Sequence, residues 1–210
     1  MTPEYIVVHT AAFNGNNCDR DMIDRWHKDR NWSGIGYHFV IINNKHNSKA
    51  DGTVENGRPT NKTGAHALGL NSRSLGICCI GHGDINDFTP AQYESLYRLV
   101  GKLMSEFFIP VSKVIGHREL NILADNEIIS SRYRTSKSCP GKKIDMDFIR
   151  EQISSSVSHT DVESSQVTDE TRLAMTNAIA VLQQYRAQFP NAQDELDEFI
   201  HHPEVIAMTQ

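Results

Sequence analysis

Two histidines and a cysteine, His9, His117 and Cys139, lie far apart in this 210-residue chain, but each has a local setting that suits a zinc ligand. Three protein ligands leave the fourth position of a tetrahedral zinc ion to water, as in catalytic sites. Structural zinc sites are closed by four ligands, commonly in Cys-x-x-Cys pairs, and the chain has no such pair. Lys137 precedes Cys139 by two residues and could stabilise an oxyanion. If these residues meet in space, the sequence describes a hydrolase.

The pattern of apolar residues predicts strands that end at two of these candidates. Residues 5–9 form a β-branched run that ends at His9, and residues 114–116 form a strand that leads into His117. Residues 36–42 and 53–55 suggest a hairpin, and residues 75–81 predict a central strand buried on both faces. Helices are predicted at 18–30 and, from the signature Thr89-Pro90-Ala91-Gln92, at 90–104. The expected fold class is therefore α/β, with a mixed central sheet flanked by helices.

Composition and charge narrow the classes of function. The chain is 39% hydrophobic and 22% charged, which is ordinary for a globular protein. Its net charge of -5 is uneven: residues 159–210 hold nine acidic residues and two arginines, a net charge of -7, which leaves +2 on residues 1–158. No basic stripe indicates nucleic-acid binding, and no stretch approaches the roughly 20 apolar residues of a membrane helix.

The four cysteines do not suggest a disulfide framework. Cys78 and Cys79 are neighbours and should point to opposite faces of a strand. The N-terminus shows no secretory signal pattern. We therefore expect cytoplasmic synthesis.

Eight short stretches, in order along residues 5–150, resemble the zinc N-acetylmuramoyl-L-alanine amidases of the amidase type 2 family, which includes phage lysozyme-type amidases and peptidoglycan recognition proteins. The stretches are 7–10 (VVHT), 26–28 with 32–40 (WHK and WSGIGYHFV), 51–55 (DGTVE), 64–67 (GAHA), 71 with 74–77 (N and SLGI), 88–92 (FTPAQ), 116–119 (GHRE) and 137–141 (KSCPG). Each alone is weak, but eight in the family's order form a specific signal.

The resemblance implies a function and a set of site residues. It implies that His9, His117 and Cys139 bind Zn²⁺ and that the enzyme hydrolyses the amide between N-acetylmuramic acid and the L-alanine of the peptidoglycan stem peptide. It further implies that Tyr37 and Lys137 are catalytic beside the metal. His66, Trp32 and Asn71 are expected to bind substrate. A bacteriolytic, phage-type endolysin that reaches the wall after release would fit these features.

Plainer interpretations stay open for several residues. A histidine at a strand end is more often a hydrogen-bonded core or surface residue than a ligand, and Cys139 alone would be a small buried hydrophobe. Tyr37 could simply pack on the sheet. His38 alternates with Tyr37 and is left out of the site. Glu119 could orient a ligand imidazole or form a salt bridge with Arg118.

Two segments depart from the family pattern. The interval from His117 to Cys139 is long and contains an insertion, residues 121–135, that could form a lid or a specificity wall. The expected organisation is a catalytic domain at 1–153, a linker at 154–170 and an acidic helical extension at 171–210. The extension could dock a protein partner or fold back on the body. Rival functions are a non-catalytic peptidoglycan-binding recognition module and an amidase toxin or effector.

Overall fold

The centre of the molecule is a five-stranded sheet in a computed structural model that describes residues 1–163 and Asn177. The strands are β1 (Tyr5–Thr10), β2 (Phe39–Ile41), β3 (Val54–Asn56), β4 (Ser74–Cys79) and β5 (Val114–Gly116), in the order β3-β2-β4-β1-β5. β1 pairs in parallel with β4 and β5, and β2 pairs in parallel with β4. The β2–β3 hairpin is antiparallel. The mixed sheet, with β4 at its middle, confirms the predicted fold class.

Within residues 1–163, four α-helices accompany the sheet: α1 (Arg20–Lys28), α2 (Pro90–Phe107), α3 (Leu120–Asp125) and α4 (Met146–Glu163). The Asp19 side chain caps α1 by accepting a hydrogen bond from the Met22 N–H. At α2, Thr89 accepts from the Gln92 N–H while the Gln92 side chain accepts from the Thr89 N–H, a reciprocal capping box. α2 begins at Pro90, as its capping signature predicted, whereas α1 begins at Arg20, two residues after the start expected at residue 18.

Alternate residues of the strands face different helices. Val8 and Cys79 lie in a core shared with α2 and α4, whereas Val7 packs with residues of α3 and Cys78 packs with Ile23 of α1. The two cysteines therefore do point to opposite faces, and both are free thiols. His9 has the parity of Val7, so it lies at the carboxyl end of β1 on the face covered by α1 and α3.

The boundary expected at residue 154 falls inside a helix. α4 continues to Glu163, so residues 154–163 of the expected linker are helical. Serine is compatible with this helix because the hydroxyls of Ser154 and Ser155 donate to the carbonyls of Arg150 and Glu151, each at 2.9 Å. The rest of the linker and the extension at 171–210, with its expected partner-docking helices, lie outside the described residues apart from Asn177. Within the described part, none of the helices has the length and apolarity to cross a membrane.

Candidate metal centre and substrate groove

The sheet register brings the two candidate histidines together. Val8 of β1 pairs with Gly116 of β5, so the next residues, His9 and His117, stand side by side at the carboxyl edge. Their rings lie 4.8 Å apart between centroids. The carboxyl ends of parallel strands are where open α/β sheets form their clefts.

The loop after the insertion carries Cys139 to the same point. Its Sγ lies 3.6 Å from His9 Nδ1, and one ligand atom from each of His9, His117 and Cys139 lies within 4.8 Å of the others. Zinc bonds of ~2.3 Å to sulfur and ~2.0–2.1 Å to nitrogen in a tetrahedral arrangement would separate the two ligand atoms by about 3.6 Å. The Sγ–Nδ1 distance therefore fits a shared metal ion.

Burial keeps these groups uncharged when no cation is present. Burial lowers the pKa of His117 to about 4 and raises the pKa of the Cys139 thiol to about 11. A buried thiol with this pKa is protonated at neutral pH, and a bound cation would favour its thiolate. The donor set of two neutral imidazoles and one potential thiolate suits zinc.

His66 contacts the ring nitrogen of His9 that faces away from Cys139. His9 Nε2 lies 3.1 Å from His66 Nδ1, while His9 Nδ1 faces Cys139. The His66 ring fits because two neighbours are glycines: a Cβ would stand 2.5 Å from the ring at Gly64 and 2.6 Å from it at Gly76. Burial lowers the pKa of His66 to about 3, so the ring is neutral. His66 thus supports a ligand from behind, a position that the sequence did not predict for it.

Two anchors fix the loop that carries Cys139. The Arg118 guanidinium donates to the carbonyls of Gly141 at 2.6 Å and Ile144 at 2.7 Å, and the Arg118 backbone N–H donates to the Cys139 carbonyl at 2.7 Å. On the other side, an Asp84 carboxylate oxygen accepts from the Ser138 hydroxyl at 2.6 Å. These anchors position the third candidate ligand.

Both interpretations of Glu119 were wrong. Its carboxylate accepts from the Gly116 N–H at 2.7 Å and pairs with Arg150 at 3.1 Å, rather than with His117 or Arg118. The reason is local: residues 117–119 form a 3-10 turn, and Glu119 folds back to accept from the N–H of Gly116, the residue before that turn.

Tyr37 and Lys137 line the same cavity as the three candidate ligands. The Tyr37 ring lies 5.0 Å from that of His9, and burial raises the pKa of Tyr37 well above its usual value. The phenol therefore stays protonated and can donate a hydrogen bond. Lys137 is exposed at the mouth of the cavity. His38 lies elsewhere, with its ring nitrogens bonded to the Gly76 N–H and the Lys62 carbonyl.

The site opens into a groove made of two cavities. The first, about 530 Å³, contains all three candidate ligands. The second, about 370 Å³, continues past His66 and His117 toward the insertion. Trp32, 40% exposed, lines both cavities. Asn71 lines the second, but its Oδ1 accepts from the backbone N–H groups of His66 and Ala67, each at 2.8 Å, so it also holds the His66 loop.

Comparison with known proteins identifies the family of the chain. The sequence model of the family described as N-acetylmuramoyl-L-alanine amidase matches residues 1–142. The chain belongs to this amidase family. The endolysin of Enterobacteria phage T3 is 39% identical over 112 residues, which cover 50% of this chain and 70% of that protein. Peptidoglycan-recognition protein SC2 of Drosophila melanogaster is 31% identical over 150 residues, covering 67% of this chain and 69% of that protein.

A solved amidase has the same fold. The N-acetylmuramoyl-L-alanine amidase LysC from Clostridium intestinale URNW superposes with a TM-score of 0.59 at 33% sequence identity, covering 73% of this chain and 86% of that one. The family and the fold implied by the eight sequence stretches are both confirmed.

Within this amidase, the insertion is an ordered wall of the groove. The Asn121 side chain closes it, donating to the Thr135 carbonyl and accepting from the Thr135 N–H, both at 2.9 Å. Ile129 is buried in the core with α3. Tyr133 lies over Gly69, where a Cβ would stand 2.5 Å from its ring. These contacts pack the insertion against the body of the protein, and its residues 132–135 line the second cavity.

Proposed function

We propose that the chain is a zinc-dependent N-acetylmuramoyl-L-alanine amidase that hydrolyses the amide between N-acetylmuramic acid and L-alanine in peptidoglycan, as a phage-type endolysin. The 3.6 Å separation of Cys139 Sγ and His9 Nδ1, beside His117 in an open cavity, carries the proposal. Zinc held there would supply a nucleophilic water at neutral pH and a Lewis acid for the scissile carbonyl.

Two side chains supply the remaining chemistry. The Lys137 ammonium stabilises the negative charge that develops on the carbonyl oxygen, since it lines the cavity that holds the three ligands. Tyr37 orients the attacking water or donates to the oxyanion through its protonated phenol. His66 and Asn71 support His9 and the groove wall, and Trp32 offers an exposed aromatic face to the substrate.

The activity belongs to the body of the chain, and the segment from 171 onward is an extension of separate role. The family match ends at residue 142, which supports this division. The enzyme is made in the cytoplasm and acts on the cell wall after release.

Product analysis tests the proposal. Zinc-loaded protein is incubated with purified peptidoglycan, and mass spectrometry is used to look for free stem peptides that begin with L-alanine. We expect such peptides with the intact chain and none after Cys139→Ser, which should also lose bound zinc. Cys18→Ala is the matched control, because Cys18 is a buried thiol outside the groove.

The same variants separate an enzyme from a binding module. If the protein were a pure binder, the intact chain would release no peptide, and its affinity for peptidoglycan would survive the substitution Cys139→Ser. That combination would overturn the proposal.

A further inference from the structure

The groove has two ends of different charge. The two cavities share Trp32, Ala65, His66, His117 and Lys137, so the candidate metal site lies where they join. The lining of the first cavity adds one acidic side chain, Asp84, and one cationic side chain, Arg30, to the shared Lys137, so its own two charges offset each other. The lining of the second includes three cationic side chains, Arg132, Arg134 and Lys137, and no acidic residue.

The three cations of the second cavity differ in their partners. Arg134 forms an ion pair with Asp125, which neutralises it. The Arg132 guanidinium instead stacks over the Tyr133 ring, 4.6 Å from its centroid, and donates to the Tyr133 hydroxyl. Among the residues that the structure describes, no carboxylate pairs with Arg132. Arg132 therefore presents an uncompensated charge to the cavity.

The Arg132 side chain contacts a tyrosine that is itself held in place. Tyr133 is fixed against Gly69, and Asn121 closes the insertion onto Thr135. The aromatic ring holds the guanidinium by a cation–π contact and restricts its conformations. A planar arginine fork can bind a carboxylate through two parallel hydrogen bonds.

We propose that Arg132 is a specificity-determining residue that binds a free carboxylate of the stem peptide. An amide held with its carbonyl at the junction must extend both ways, with the sugar on one side and the peptide on the other. The peptide carries the negative charges, so it lies along the second cavity and the muramoyl sugar lies in the first. This inference rests on the proposed amidase function.

Defined substrates test the assignment. Two muramoyl peptides of equal length are compared, one with the α-carboxylate of its second residue free and one with that group amidated. A second pair differs in the same way at the third residue. We expect one pair to show about a tenfold higher kcat/KM for the free form, the lower range for hydrogen bonds to a charged group at an exposed site.

The variants identify the residue responsible. Arg132→Gln should remove the preference by slowing hydrolysis of the free form alone, and Arg132→Lys should restore part of it. Arg134→Gln is the matched control, because Arg134 already pairs with Asp125; it should leave the preference intact. Equal kcat/KM within both pairs for the intact enzyme, or an equal loss on both forms after Arg132→Gln, would overturn the inference.

Binding distinguishes this inference from the catalytic proposal. Calorimetric titration of Cys139→Ser with the same pairs requires no turnover. If the intact chain hydrolyses none of the substrates, the amidase proposal fails, whereas a preference of Cys139→Ser for one free carboxylate that disappears with Arg132→Gln would still support the role of Arg132. Equal affinity within both pairs would refute it.

Discussion

Replacing Arg118 by glutamine should weaken metal binding through a residue that is itself no ligand. The substitution removes the two short guanidinium bonds to the Gly141 and Ile144 carbonyls, at 2.6 and 2.7 Å. A hydrogen bond to a charged group contributes about 1.5–3 kcal/mol, and the lower value suits a half-buried side chain. The two bonds together then stabilise the Cys139 loop by about 3 kcal/mol, or roughly two orders of magnitude in the ordered fraction of that loop.

Part of the order of this loop should survive the change. The backbone N–H of residue 118 still donates to the Cys139 carbonyl, and Asp84 still accepts from Ser138. We therefore expect the zinc Kd, measured by competition with a chelator, to rise about 10- to 100-fold, in the range found for residues that orient metal ligands. Arg118→Lys keeps the positive charge but loses the two-pronged guanidinium. Its zinc Kd should therefore lie between that of the intact chain and that of Arg118→Gln.

Arg98→Gln provides the control for this experiment. Arg98 lies on the exposed surface of α2, where it pairs with Glu94, at 3.8 Å, and donates to the Ser95 hydroxyl. A surface pair of this kind contributes little, so both the Kd and the Tm should stay near those of the intact chain. An unchanged zinc Kd for Arg118→Gln, even with a lowered Tm, would refute the idea that Arg118 positions Cys139.

Three further substitutions test separate parts of the site. Lys137→Met should keep bound zinc but lower kcat by about 100- to 1000-fold, the usual loss of an oxyanion donor, as followed by stem-peptide release; an unchanged kcat would remove Lys137 from the mechanism. Asn71→Ala leaves the His66 and Ala67 N–H groups without their acceptor and should lower the free energy of unfolding by about 1–3 kcal/mol in urea titrations; a smaller loss would mean that water replaces the amide. Gly76→Ala would place a Cβ within 2.6 Å of the His66 ring and should lower the free energy of unfolding by about 1–3 kcal/mol. Gly101→Ala, whose Cβ would have nothing within 4 Å, should be neutral or stabilising, and equal effects of the two variants on Tm would contradict the tight fit around His66.

The sequence was most informative where local physics decides the structure. Apolar runs located the five strands, and the capping signature at residues 89–92 located the start of α2. The strand predicted at 36–42 is shorter, Phe39–Ile41. Its first residues bond elsewhere: the Gly36 N–H donates to His27 Nδ1, and the Tyr37 carbonyl accepts from the Arg58 N–H. A run of strand-forming residues cannot reveal such partners.

The supports of the site were beyond sequence reasoning for a different reason. Asp84 reaches Ser138 across 54 positions of sequence, and no pattern around either residue indicates the contact. Gly83 lies so close to the Cys139 loop that a Cβ there would stand 1.9 Å from the Pro140 carbonyl oxygen. That glycine was a signal of close backbone approach, but the sequence does not say which backbone approaches it.

The residue that supports the ligand His9 is a neutral histidine, His66, and not the carboxylate of Glu119. A carboxylate close to a ligand in sequence is the usual candidate to orient an imidazole, yet Glu119 caps its own turn and pairs with Arg150. The support comes instead from His66, which reaches His9 because Gly64 and Gly76 leave room for its ring. If His9 Nδ1 donates its lone pair to a metal, the ring proton of His9 is on Nε2 and forms a hydrogen bond to His66 Nδ1. His66 Nδ1 is then the acceptor, so the proton of neutral His66 is on its buried Nε2.

A neutral support has a consequence for the charge of the site. Among the three candidate ligands and His66, only the Cys139 thiolate would carry a negative charge, so a divalent ion held there would retain a net charge of about +1. A carboxylate in the place of His66 would cancel that charge and weaken the attraction for an anionic nucleophile and for a developing oxyanion. His66→Glu should therefore bind zinc at least as tightly as the intact chain, if the protein folds, and hydrolyse peptidoglycan more slowly. Faster hydrolysis with zinc fully bound would show that the neutrality of His66 has no part in the activity.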